Sequence, residues 1–222
     1  MESHRVETTH YSMSERMPDR SEIQDGDGLM TLYRVGSLLI GDRRELCLIK
    51  KISAAGMMVR TYCTVPEGTC ATVELKCGQP VTGKVIWFRE PNAGIAFDQP
   101  IDVLDILSAS LKGPRPRMPR IAIESIVTLR DGASVFRLHG CDISQGGMRL
   151  HCEAAIAEGC DVAVTLPWME PRAAVVRWSR DGQIGLTFNR SLSLSMLVNW
   201  LKDQRDRNRA AVQMPARQHS NH

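Results

Sequence analysis

The residues whose types and spacing suit ligand chemistry fall in two short stretches. Arg115, Arg117 and Arg120 stand in the segment KGPRPRMPR that ends at position 120, and Asp142, Ser144 and Gly147 make a D-x-S-x-x-G set within Asp142-Ile143-Ser144-Gln145-Gly146-Gly147. A guanidinium pairs with anionic oxygens, gives two parallel hydrogen bonds to a planar acceptor edge, and stacks on an aromatic ring, so an arginine arm suits all three tasks. An ionised aspartate accepts hydrogen bonds from amide and amine donors. A serine hydroxyl bonds phosphate or backbone, and a glycine allows a tight turn with close ligand approach. Each stretch also has a plainer reading, the arginines as a solvated basic linker and Asp-Ile-Ser as an ordinary turn with side-chain to backbone bonds. Their occurrence together favours the ligand role. No activated nucleophile, paired carboxylates or phosphate loop accompanies them, so the chain is read as a non-enzyme. His139 and Cys141 alternate on one strand face without a second ligand pair, and no metal is expected.

The elements that must position these residues come from an internal repeat. Shifted by 91 residues, 51–97 aligns without a gap on 142–188, with 14 identities in 47 positions, where average residue usage gives about 3. The identities include Ile52/Ile143, Ser53/Ser144, Gly56/Gly147, Glu67/Glu158, Gly68/Gly159, Trp87/Trp178, Gly94/Gly185 and Phe97/Phe188. Two homologous domains follow, 29–112 and 113–207, flanked by disordered tails at 1–28 and 208–222. In the second copy IAIESIVTL, VFRLHGCDIS, GMRLHC, DVAVTLPW, RAAVVRW and QIGLTF read as strands, several alternating apolar and polar, punctuated by Asp-Gly, Gly-Gly and Glu-Gly turns. Six closely spaced strands favour a small antiparallel barrel, because closure removes exposed edges. Each copy ends in a helical pattern, Val103, Leu104, Leu107 and Leu111 in the first and Leu194, Leu197, Val198 and Leu201 in the second. The fold class is all-β with short helices: two tandem six-stranded antiparallel barrels, each followed by a C-terminal helix. The recurring Trp87, Trp178, Phe97 and Phe188 are expected in the cores.

Composition sets the outer bounds. The 222 residues are 43% hydrophobic and 24% charged, near the globular average, with a net charge of +3. No apolar run reaches the ~18–20 residues of a membrane-spanning helix, and the first 20 residues lack an apolar signal core, so the expectation is a soluble cytoplasmic protein. Seven cysteines without a C-x-x-C pair read as reduced, mostly buried thiols. The charge is uneven: 1–28 carries seven acids against three arginines, whereas Lys112, Arg115, Arg117 and Arg120 stand together with three prolines that rule out a helix.

The order of these features is a short arginine cluster, a strand, D-x-S-x-x-G, then Val176-Arg177-Trp178 and Gly185-Leu186-Thr187-Phe188, then a helix. It resembles the PilZ domain, the bacterial receptor module for cyclic di-GMP. The resemblance spans both repeats and implies cyclic di-GMP as the ligand, no further cofactor, and binding by Arg115, Arg117, Arg120, Asp142, Ser144 and Gly147. The family pattern R-x-x-x-R puts Pro116 where its first arginine belongs if Arg120 is the second, leaving Arg115 and Arg117 as the flanking substitutes. In the first copy Lys51 replaces the aspartate, and only Arg34 precedes the first strand at the corresponding place, so that copy reads as a barrel without a ligand site. The resemblance further implies a signal passed by domain reorientation to an unidentified protein partner, in control of motility, attachment or exopolysaccharide. The alternative is a ligand-free adaptor acting through protein contacts alone. A nucleic-acid binder is disfavoured by the low charge and the lack of an aromatic stacking pattern, and no DNA or RNA partner is expected.

Overall fold

The computed structural model describes residues 29–75, 80–104, 106 and 118–213. Twelve strands make two closed barrels. The first comprises β1 (Met30–Ile40), β2 (Arg43–Ile52), β3 (Gly56–Thr61), β4 (Cys70–Glu74), β5 (Pro80–Arg89) and β6 (Asn92–Phe97). The second comprises β7 (Ile121–Asp131), β8 (Ser134–Ser144), β9 (Gly147–His151), β10 (Asp161–Thr165), β11 (Arg172–Arg180) and β12 (Gln183–Phe188), followed by helix α1 (Leu194–Gln213). Both close in the same order, β1-β2-β3-β6-β5-β4 and β7-β8-β9-β12-β11-β10, with every pairing antiparallel. The expected six strands of the second copy are all present.

Period-two patterning builds each wall. In β7, Ile121, Ile123, Val127 and Leu129 are buried while Ala122, Glu124 and Ile126 face outward, as an alternating strand requires. The Asp181-Gly182 turn has positive φ at both residues, 53° and 67°, the backbone a two-residue hairpin needs.

The repeat identities turn out to be fold devices, each used twice. Glu67 accepts a hydrogen bond from the Phe88 amide at 3.2 Å, and Glu158 does the same for Ser179 at 3.2 Å. Each pair of tryptophan and glycine marks a β-bulge, between Val85 and Trp87 and between Val176 and Trp178. The indoles lie over Gly94 and Gly185, where a Cβ would collide with the ring. Trp87 and Trp178 are thus half-buried covers on the barrel wall rather than core residues, because the bulge turns the ring onto the neighbouring strand. Gly94→Ala and Gly185→Ala are each expected to cost about 1–3 kcal/mol in urea unfolding, the range for overpacking a filled site.

The helices depart from expectation. Val103, Leu104 and Ile106 are helical, whereas Leu107 and Leu111 lie outside the described residues. Helix α1 runs beyond the expected end at 207 to Gln213, correcting the tail drawn from 208. Ala210 and Ala211, both strong helix formers, extend it past its buried face. The Ser193 hydroxyl caps its start, accepting from the Met196 amide at 3.2 Å. Leu194, Leu197, Val198 and Leu201 are buried as the pattern predicts. The six described cysteines are free, but only Cys47 and Cys152 of them are buried and Cys70 is exposed.

The two barrels share a seam that the repeat did not announce. Leu46 of β2 is 3% exposed and belongs to the apolar cluster of the second barrel, with Val35, Leu48 and Tyr62 packed against it. Arg205 of α1 forms an ion pair with the buried Glu45, which also has Arg43 Nε at 3.8 Å.

Candidate functional site

The hairpin of β8 and β9 carries the D-x-S-x-x-G residues. Ser144 pairs with Gly147 across a two-residue turn, Ile143 with Met148, and Asp142 with Arg149. On the other side Asp142 pairs with Ala122 of β7, and Arg120 immediately precedes that strand. The register therefore sets one carboxylate between two guanidiniums. Arg120 Nη1 donates to Asp142 Oδ1 at 2.5 Å, and Arg149 Nη2 donates to Oδ2 at 2.8 Å. The aspartate side chain is only 13% exposed, against 44% for Arg120 and 42% for Arg149. A recessed acceptor flanked by two accessible cations is a surface on which phosphate and a hydrogen-bonding base can both be met.

The other motif residues hold the turn. Ser144 is buried and its hydroxyl donates to the Gly147 carbonyl at 3.1 Å; Ser53 and Gly56 repeat the bond at 3.2 Å in the first barrel. A Cβ on Gly147 would run into the Leu186 carbonyl oxygen of β12. The close approach that requires glycine here is thus to a neighbouring strand. Gln145 Nε2 donates to the Leu192 carbonyl at 3.0 Å and the Leu192 amide to the Gln145 carbonyl at 2.8 Å, tying the motif turn to the start of α1. Burial pushes the Cys141 thiol up, with Asp142 adding to the rise and Arg149 opposing it. It is a neutral packing group.

Arg115 and Arg117 lie outside the described residues. Arg34 does not stand where Arg120 stands. It lies inside β1, after a bulge between Thr31 and Arg34 that matches the one between Ala122 and Ser125, so its counterpart 91 residues on is Ser125 and the residue matching Arg120 is Leu29. In the same register Lys51 faces Met58 where Asp142 faces Arg149. The first barrel keeps the serine and glycine that close the turn and has Leu29, Lys51 and Met58 in place of the charged trio. Arg149 escaped notice in the sequence. The signal was there, since a two-residue turn between 144 and 147 places 149 opposite 142.

Residues 114–203 match the family model described as PilZ domain. The second barrel is a PilZ domain. Solved structures that match part of the chain include the Borreliella burgdorferi PlzA protein in complex with c-di-GMP, 12% identical over 78% of this chain and 88% of that one, TM-score 0.35. The Bacillus subtilis inhibitor of motility MotI/DgrA is 14% identical over 80% and 99%, TM-score 0.34. YcgR from Escherichia coli in complex with c-di-GMP is 16% identical over 81% and 88%, TM-score 0.30. No curated protein matches the chain. Among the described residues of the PilZ barrel and its companion, no helix is long and apolar enough to cross a membrane, and no group of three or more His, Cys, Asp or Glu is arranged to hold a metal ion.

Proposed function

We propose that this protein is a cyclic di-GMP receptor whose PilZ barrel takes the ligand, the chain dividing near 112 into a ligand-free barrel and a binding barrel. The observation that carries the reading is the recessed Asp142 held between Arg120 and Arg149 within a matched PilZ domain. Arg120, joined by Arg115 and Arg117 of the preceding arm, supplies donors for phosphate oxygens and the guanine O6/N7 edge. Asp142 accepts from the guanine N1–H and amine. Ser144 and Gly147 support the site by shaping the turn that carries Asp142. Because Arg120 is engaged by Asp142 before ligand arrives, binding exchanges one anionic partner of Arg120 for another at the start of β7. Domain reorientation across the Leu46 seam then carries the signal to a protein partner.

Titration calorimetry with cyclic di-GMP, beside a control oligonucleotide of matched charge, tests this directly. Saturable binding of one ligand unit per chain, or of a stacked pair, with no heat from the oligonucleotide supports the receptor. Silence with both leaves the ligand-free adaptor, and heat with the oligonucleotide alone returns the nucleic-acid reading.

A further inference from the structure

Arg149 lies outside the motif residues, yet its guanidinium is committed to the site. Nη2 is 2.8 Å from Asp142 Oδ2 and Nη1 is 3.5 Å from Gln183 Oε1, while its buried Nε has no hydrogen-bond partner. The two arginines on Asp142 are not equivalent. Arg120 sits at the end of the arm, before the first residue of β7. Arg149 sits within β9, which is laddered to β8 on one side and β12 on the other. A ligand phosphate that draws Arg120 away therefore leaves Asp142 with Arg149 as its remaining counter-charge. A recessed carboxylate without one is costly, and a carboxylate free to swing accepts poorly from a base edge.

We infer that Arg149 is a positioning residue that keeps Asp142 charged and aimed while Arg120 transfers to the ligand, and that it thereby sets the preference for guanine. Oδ2 stays anchored to Arg149. Oδ1, vacated by Arg120, and the second lone pair of Oδ2 face the guanine N1–H and amine. The internal repeat supports the assignment, since Lys51 and Met58 replace both members of the facing pair together in the first barrel. This inference rests on the cyclic di-GMP reading above.

The test compares cyclic di-GMP with cyclic di-inosine monophosphate, which lacks the exocyclic amine, on the full chain. In the unsubstituted protein the guanine ligand binds about tenfold more tightly, the value of a charge-assisted hydrogen bond. In Arg149→Ala the guanine affinity falls about tenfold, the inosine affinity falls less, and the ratio contracts toward one. Arg149→Lys keeps the charge and recovers part of the ratio. Arg149→Gln keeps length and a donor without charge, and replaces the alanine variant if that one does not fold. Equal loss for both ligands, with the ratio unchanged, means that Arg149 merely supports the fold and overturns the inference alone. No binding of either ligand by the unsubstituted protein overturns the receptor reading and this inference with it.

Discussion

Asp142→Lys, which gives the PilZ barrel the residue its companion carries at position 51, is expected to lower cyclic di-GMP affinity by at least about a hundredfold. Two effects add. The carboxylate's charge-assisted bonds to the base disappear, each of the ~1.5–3 kcal/mol kind. The new ammonium also sits beside Arg120 and Arg149, whose guanidiniums now repel it and one another without the anion that ordered them. Arg120→Ala and Asp142→Ala each remove one side of the arrangement and are expected to cost at least about tenfold. Affinity near that of the unsubstituted protein in Asp142→Lys sinks the site assignment. The reverse change, Lys51→Asp, is expected to build no second site. The carboxylate would stand in register with Met58 and near Leu29, with no guanidinium from either position. Calorimetric stoichiometry checks this.

The contrast between the barrels also explains how much of the molecule could be read from its residues. The strands were legible because alternation, Asp-Gly turns and the 91-residue repeat all point to the same six-stranded unit. Asp142 was legible because its motif is compact. Arg149 was missed because it matters through register, and register is a relation between strands that no local pattern displays. Arg34 was misplaced for the opposite reason. Its type suggested the role, but the shift of 91 makes it the counterpart of Ser125, behind a bulge. The seam formed by Leu46 and Glu45 was hidden because a half-exposed β2 residue and one facing another barrel have the same sequence pattern. Among the motif residues, Ser144 and Gly147 recur in the first barrel in the same bonds and packing. Their presence therefore marks the fold, whereas the charged trio is confined to the second barrel.

The division of labour between the barrels can be tested at that seam. Leu46 is 3% exposed within the second barrel's apolar cluster, so Leu46→Asp forfeits its burial, about 1.5–3 kcal/mol. It also places a second carboxylate beside Glu45, which already occupies Arg205 and Arg43, and an unpaired buried charge adds to the cost. Each barrel is closed by its own hydrogen-bond ladder, so the seam should give way before either wall does. The expected result is that thermal unfolding, followed by calorimetry and tryptophan fluorescence, separates into two transitions. Trp168, Trp178 and Trp200 belong to the second barrel and its helix and Trp87 to the first, which assigns the larger fluorescence change to the second. Cyclic di-GMP at about a hundredfold excess over its dissociation constant should stabilise that transition alone by about 2.7 kcal/mol, because a ligand stabilises only the unit whose folded form binds it. A shift of both transitions, or loss of binding once the seam is broken, would place the ligand between the barrels and make Leu46, Glu45 and Arg205 part of the receptor's site.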